Sequence, residues 1–226
     1  MKVTYVNHMG DDLQVVNAAK VSFGKRSEWL PAGSKTDPDG TNSQFIDGKT
    51  VVLSKQDQGL IQFLARGCTS GDWENIKWDI ENCSTVEEID ELCNHIRKMP
   101  SHWSPFAHTA VTLHLKMPIF VARQIMKHTT GIEYNEVSRR YVDSEPEFYE
   151  PDVWRKKADN VKQGSSDEAT GNDVPLYVQE EVYETCLDAY KTLMKVGVAP
   201  EQARMILPQS MYTEVIATGN LYAWAN

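Results

Sequence analysis

Within nineteen residues, Arg123 to Tyr141, the chain gathers Arg123, Lys127, Arg139 and Arg140 around Gln124, His128, Asn135, Glu136, Ser138 and Tyr141. Arginine offers a planar fork of donors that suits phosphate, lysine a point charge, and the Gln124 amide an edge that can read a base. Together these types describe a site for a ligand that carries phosphates and a heteroaromatic ring. The rest of the chain is not cationic. Its 23 Lys and Arg against 32 Asp and Glu leave a formal charge of −9. That balance argues against binding along a nucleic-acid backbone, so an RNA-binding module built on Arg139-Arg140 fits poorly. A local anion site survives, because fields are set by nearby charges.

The elements around this segment must aim it. Thr109 to Met117 alternates, with Val111, Leu113, Leu115 and Met117 on one face and Ala110, Thr112, His114 and Lys116 on the other, which predicts a half-buried strand. Pro118 suits a first helical turn, and a helix is predicted through His128. At 100° per residue Arg123, Gln124, Lys127 and His128 share one side of it. Val121, Ala122, Ile125 and Met126 cover the other, and Phe120 alone breaks the division. The plain alternative for the polar four is the solvated face of a surface helix. Thr129 to Gly131 ends the helix, and the Asn-Glu-x-Ser-Arg-Arg-Tyr run follows as a turn.

Elsewhere, Met1 to Val6 predicts a short edge strand, and Asp11 or Asp12 caps a helix carrying Val15, Val16, Ala18 and Ala19. Gly24 to Thr50 is predicted as a long surface loop. Ser54 caps a helix with Leu60, Ile61, Phe63 and Leu64, and a helix from Thr85 to Met99 opens at Ser84, with Glu87 and Glu88 near its positive end. Cys68 to Asn82 between them reads as an insertion. Arg155 to Asp173 is polar and predicts another loop. Pro175 to Val196 predicts a helix with Val182, Cys186, Ala189, Leu193 and Val196 on its buried stripe, stopped by Gly197. Pro200 starts a short helix carrying Arg204. No internal repeat and no Gly-rich dinucleotide fingerprint appears, so one α+β domain over 1–226 is predicted.

Four widely spaced cysteines without a C-x-x-C pair predict reduced thiols, and the reading is cytoplasmic with no membrane partner. His102, His108 and His114 lack metal-site spacing, so no metal is expected. Ser138 has no base at a motif spacing and reads as a phosphate-binding hydroxyl. Lys156-Lys157 reads as solvated, Phe148-Tyr149 as packing, and Trp73, Trp78 and Trp103 as core or interface.

The segment resembles the signature of the flavin-dependent thymidylate synthases, Arg-His-Arg, seven residues, then Ser, inside an Asn-Glu-x-Ser-x-Arg-Tyr run. Other stretches resemble the family in order: Val15 to Gly24, His102-Trp-Ser-Pro-Phe-Ala-His108, Pro118 to Gln124 and Ala203-Arg-Met-Ile-Leu-Pro208. The resemblance implies a mixed or antiparallel sheet flanked by helices, and reductive methylation of dUMP to dTMP. The implied redox system is FAD with NADPH, the carbon donor 5,10-methylenetetrahydrofolate, and the assembly a homotetramer with shared sites. It implies FAD contacts for His102, Ser104, Lys127, His128, Thr129, Glu136, Asn220, Tyr222 and Asn226. For dUMP it implies Gln124, Lys127, Glu136, Ser138, Arg139, Arg140 and Arg204.

Two departures stand out. Lys127-His128-Thr129 replaces Arg-His-Arg, with eight residues rather than seven before Ser138, so two guanidinium forks are lost. The family's ring-ionising arginine and helical tail are expected beyond Asn226. That expectation leaves open a second reading, a truncated or split flavin- and nucleotide-binding fragment that works with a second polypeptide.

Overall fold

Asp11 decides where the first helix starts. After the exposed strand β1 (Lys2–Met9), its side chain accepts from the Gln14 amide at 2.8 Å and opens α1 (Asp12–Lys20), which buries Val15 and Val16. In this computed structural model the described residues are 1–33, 43–67, 70–99, 102–141, 144–159, 164–170 and 176–225.

The stretch expected as a loop from Gly24 to Thr50 contains strands: β2 (Leu30–Pro31), β3 (Ser43–Ile46) and β4 (Lys49–Val52), antiparallel in the order β2-β4-β3. The cause is Asp47-Gly48, whose φ angles of 48° and 76° make the two-residue turn that matches strand twist. Residues 34–42 of that loop lie outside the described residues. Ser54 caps α2 (Lys55–Arg66), accepting from the Asp57 amide at 3.1 Å, and Gly67 at φ 70° closes it. The expected insertion holds α3 (Ser70–Asn82), with residues 68 and 69 outside the description. In α4 (Val86–Lys98) the cap is Thr85 rather than Ser84: Thr85 accepts from the Glu88 amide, and Glu88 accepts from the amides of Ser84 and Thr85. Those backbone donors hold the Glu88 carboxyl below its usual range.

A 3₁₀ turn, Ser104–His108, leads into β5 (Ala110–Pro118), then α5 (Ile119–Ile125) and β6 (Ile132–Glu136). The polar segment expected as a loop from Arg155 forms a hairpin of β7 (Arg155–Lys157) and β8 (Ser165–Ala169). Opposite charges face across it, Arg155 to Asp167 at 3.2 Å and Lys156 to Glu168 at 3.1 Å. Both faces are solvated, so no apolar alternation betrays it. Residues 160–163 and 171–175 are outside the description. Next come α6 (Leu176–Lys195), α7 (Pro200–Ala203), a 3₁₀ turn Arg204–Ile206, β9 (Tyr212–Asn220) and α8 (Leu221–Ala225). The main sheet runs β1-β5-β9-β6. The α+β class expected from the sequence is what the chain adopts.

Helix α6 is turned from the expected stripe. Val182 and Val196 are 48% and 71% exposed, while Tyr190 is buried. Tyr183 sets the rotation: its hydroxyl donates to the Tyr149 carbonyl at 2.8 Å and its ring stacks on Phe148 at 4.6 Å. Among the described residues no helix is long and apolar enough to cross a membrane.

The chain packs as two compact units. One comprises Met1–Val6, Leu113–Thr129 and Glu133–Ala217; the other comprises Asn7–Thr112, Thr130–Ile132 and Thr218–Asn226. In the first, β9 alternates cleanly and buries Thr213, Val215 and Ala217. In the second, Val15, Leu64 and Phe106 form a core covered by Leu60, Ile61, Trp103 and Leu221.

Beside that second core, the Asp57 carboxylate is 3% exposed and accepts from Lys20 and from Ser54. Burial alone would raise its pKa. The hydrogen bonds from Lys20, Ser54 and Ser27 outweigh burial, so the folded-state pKa is lowered. A lowered carboxyl pKa contributes stability above the unfolded value of about 3.9 and loses it as pH falls through the folded value. Asp57→Asn leaves the Lys20 ammonium unpaired and is expected to cost about 2–4 kcal/mol at pH 7 in urea unfolding. The gap to the native chain should shrink below about pH 4; a gap that stayed constant across pH would count against this ion pair.

Candidate functional site

Proline gives α5 its entry. Pro118 is buried and extended at φ −68°, ψ 151°, and offers no side-chain cap. The orphan amides of the first turn find backbone partners instead: Ile119 donates to the Met211 carbonyl at 2.9 Å, Phe120 to that of Gln209 at 3.1 Å. The two-sided division of this segment is real. Arg123, Gln124, Lys127 and His128 are exposed, while Val121, Ala122, Ile125 and Met126 are covered to differing degrees.

The expected helix through His128, however, stops at Ile125. Lys127 and His128 continue in tightened turns, donating to Gln124 at 3.3 Å and Ile125 at 3.0 Å. Tyr134 supplies the reason. Its hydroxyl lies 3.2 Å from the Ile125 carbonyl and 2.9 Å from that of His128, so it satisfies the helix end from β6. Burial pushes the Tyr134 phenol above its ordinary pKa. The Asn-Glu run also differs from expectation, because Asn135 and Glu136 finish strand β6 and only Ser138 to Tyr141 form a turn.

That turn fixes its own side chains. Ser138 Oγ accepts from Arg140 Nε at 3.1 Å, the Arg140 guanidinium lies 5.1 Å from the Tyr141 ring centre, and Arg139 Nη1 donates to the Ser144 carbonyl at 2.6 Å. Val137 donates to the Glu214 carbonyl at 2.9 Å, and Thr213 Oγ1 donates to Glu136 Oε1 at 2.7 Å. Glu136, Arg139 and Arg204 therefore line one cavity of about 480 Å³ in the first unit. Its walls also include Lys116, Glu147, Met205, Met211, Tyr212, Thr213 and Glu214. Among the described residues the Arg204 guanidinium makes no hydrogen bond or ion pair, so it is available to an anion. Of the expected dUMP set, Gln124, Lys127, Ser138 and Arg140 do not line this cavity.

Lys116, Thr213 and Glu214 escaped the sequence reading. Lys116 belongs to the polar face of β5, and Glu214 and Tyr212 sit on the equivalent face of β9, but only the pairing of strands shows that they meet. Lys116 Nζ lies 2.8 and 2.7 Å from the two Glu147 oxygens, and this pairing raises its pKa. Glu214 pairs with His114 at 2.8 Å.

The second unit carries a cavity of about 740 Å³ lined by Ala18, Lys20, Phe23, Leu60, Phe63, His102 and Ser104. It joins two stretches that the sequence singled out separately, the end of α1 and the His102 turn. His102 N donates to the Leu64 carbonyl at 3.3 Å, and its ring stacks on Phe63 at 5.6 Å and 20°. Its walls combine aromatic and aliphatic surface with the ammonium groups of Lys20, which is engaged by Asp57, and Lys25. Lys127, His128 and Thr129 line neither cavity. In the second unit, Asn220 Oδ1 caps the Ala223 amide at 2.8 Å and Tyr222 is 43% exposed; Asn226 lies outside the described residues. Gly131 is required at φ 75°, since a Cβ there would meet Asn220 Nδ2 at 2.9 Å.

The α+β fold thus carries, in one unit, a cleft lined by Lys116, Arg139, Arg204 and five glutamates and, in the other, a separate cavity with aromatic walls. The family model of thymidylate synthase complementing protein matches residues 49–226, and the chain belongs to this family. A flavin-dependent thymidylate synthase from Thermus thermophilus is 34% identical over 212 residues, which cover 94% of this chain and 57% of that protein. One from Pseudothermotoga lettingae is 29% identical over 224 residues, covering 99% and 72%. A UMP/dUMP methylase, PolB from Streptomyces cacaoi solved with 5-Br UMP, aligns with a TM-score of 0.61 at 25% identity, covering 98% of this chain and 72% of its own. The chain thus spans a little over half the length of the Thermus relative.

The Thr213–Glu136 hydrogen bond is testable apart from any ligand. Thr213 is 4% exposed, so Thr213→Val is expected to cost about 1 kcal/mol in denaturant unfolding through the lost hydrogen bond. Thr213→Ser, which keeps the hydroxyl, should lose less. A Thr213→Val variant as stable as the native chain, with a loss seen only for Thr213→Ser, would mean that the methyl group, not the hydrogen bond, matters.

Proposed function

We propose that the chain carries out reductive methylation of dUMP to dTMP, with 5,10-methylenetetrahydrofolate as carbon donor and FAD and NADPH as the redox system. The observation that carries the reading is the meeting of Glu136, Arg139 and Arg204 in one cleft of a chain whose family is established. Named relatives are flavin-dependent thymidylate synthases, and a structural neighbour is a UMP/dUMP methylase, which supports the same substrate here.

Each residue then has a physical task. Arg204, without a partner among the described residues, supplies a charge-assisted fork to the dUMP phosphate. Arg139, tied to the Ser144 carbonyl through Nη1, keeps its remaining donors for the same anion. Glu136 is held through Oε1 by Thr213, which leaves Oε2 as an oriented acceptor for an N–H of the base. The aromatic cavity with His102 and Ser104 is the place proposed for the flavin, whose contribution when bound is hydride transfer. The protein's share is to hold donor, ring and pyrimidine in register and to exclude water.

Gln124, Lys127 and His128 are exposed, and their side chains have no hydrogen-bond or ion-pair partner among the described residues. That disposition supports a homotetramer in which one copy completes the site of another. The chain is proposed to work as one catalytic domain in the cytoplasm.

Purified protein should be yellow, oxidise NADPH only when dUMP is added, and form dTMP. Arg204→Ala should raise the dUMP KM roughly tenfold to a hundredfold, the worth of one charged hydrogen-bonding group. NADPH oxidation indifferent to dUMP, with no dTMP formed, would refute the assignment.

A further inference from the structure

The cleft that reads as a dUMP site is lined by more carboxylates than cations. A phosphate dianion entering it meets repulsion unless some of that negative charge is already engaged and can move. Two lining carboxylates sit in exposed ion pairs: Glu145 holds Lys191, which is not part of the lining, at 3.3 Å, whereas Glu147 holds a cation of the cleft itself. Glu147 grips Lys116 through both oxygens, at 2.8 and 2.7 Å, and Glu214 stands 4.0 Å from the same ammonium while holding His114. The Lys116 Nζ also lies 5.6 Å over the Tyr212 ring.

The two partners of the main pair are differently embedded. Lys116 is 30% accessible at its side chain, Glu147 66%. The lysine is thus part of the wall, and the carboxylate lies on its outer side. The Glu147 backbone is fixed, because its carbonyl accepts from the Tyr212 amide at 2.8 Å, so the side chain can swing without disturbing the sheet. An ion pair with one partner this exposed contributes little to folding and can be exchanged for another anion.

We propose that Glu147 is a resident anion of this cleft: it occupies Lys116 in the ligand-free chain and is displaced by the phosphate of an entering nucleotide. Lys116 then becomes a third cation for that phosphate beside Arg139 and Arg204. Glu147 is a specificity-determining residue, since it sets a threshold that only a strongly charged ligand crosses. The inference rests on the reading of the cleft as the dUMP site.

Calorimetric titration of the full chain with dUMP and with deoxyuridine tests it. Glu147→Gln should tighten dUMP about three- to tenfold, the size of removing one nearby charge at a partly screened site, and leave deoxyuridine unchanged. Lys116→Met should weaken dUMP. In the Lys116→Met background, Glu147→Gln should no longer tighten it, because the carboxylate acts through the ammonium. Tightening that persists in that background, or that is equal for deoxyuridine, overturns the proposal. So does dUMP binding that Glu147→Gln leaves unchanged or weakens while the thermal midpoint stays native. Failure of the wild-type chain to bind dUMP at all overturns the reading of the cleft, and the inference with it.

Discussion

Two backbone hydrogen bonds carry the geometry of the first unit: Ile119 N to Met211 O and Phe120 N to Gln209 O. A helix beginning after proline has unsatisfied amides, and Pro118 brings no side chain to cap them. Taking those partners from residues 209–211 locks the start of α5 to the residues just before β9. Strand β9 then delivers Thr213 and Glu214 beside the end of β6, where Val137 N bonds Glu214 O. The position of Glu136, and hence of the cleft, follows from that chain of bonds. Arg204 comes from the same region, since its 3₁₀ turn is followed by Pro208, whose carbonyl accepts from Met211 N at 3.0 Å.

The cationic segment solves a difficulty set by its own charge. Free arginines in a row repel one another and wander, and ordering them at the moment of binding costs entropy. For two of its cations that cost is met on folding. Arg140 is pinned by Ser138 and laid along Tyr141, and Arg139 is pinned by the Ser144 carbonyl. Of the two cleft arginines, Arg204 has no hydrogen-bond partner among the described residues. The arrangement pairs fixed donors with one adaptable guanidinium, which suits an anion that must enter and leave.

Much of the fold was legible wherever one face is buried and the other is wet. Strand β5, the Asp11 and Ser54 caps and the extent of α6 all follow from such contrast. The β7–β8 hairpin failed that test because its charges face solvent on both sides, and β3–β4 was hidden in a polar stretch although Asp47-Gly48 signals a turn. The alternation of β9, with Thr213, Val215 and Ala217 inward, was available and went unread. Of the residues that line the cleft, Glu136, Arg139 and Arg204 were named through the family resemblance. Lys116 and Thr213 were not, because their roles come from a neighbour across the sheet rather than from anything near them in sequence.

The early end of α5 shows how a long-range contact overrides a local pattern. Helical spacing put Arg123, Gln124, Lys127 and His128 on one side, and burial agrees, yet the backbone tightens after Ile125. Extending the helix would need the carbonyls of Ile125 and His128 to bond amides further along the chain. The Tyr134 hydroxyl already stands at those carbonyls from a strand, so the last turn has a partner that lies outside the helix. The stop is set by Tyr134 from outside the helix, while within the stretch that follows Gly131 is fixed by its φ of 75° and by Asn220. Lys127 and Thr129, where the family signature has arginines, and the extra residue before Ser138 fall within or next to that turn. At those positions a lysine or threonine offers fewer directed donors than a guanidinium, and both residues stand outside the lining of the two cavities.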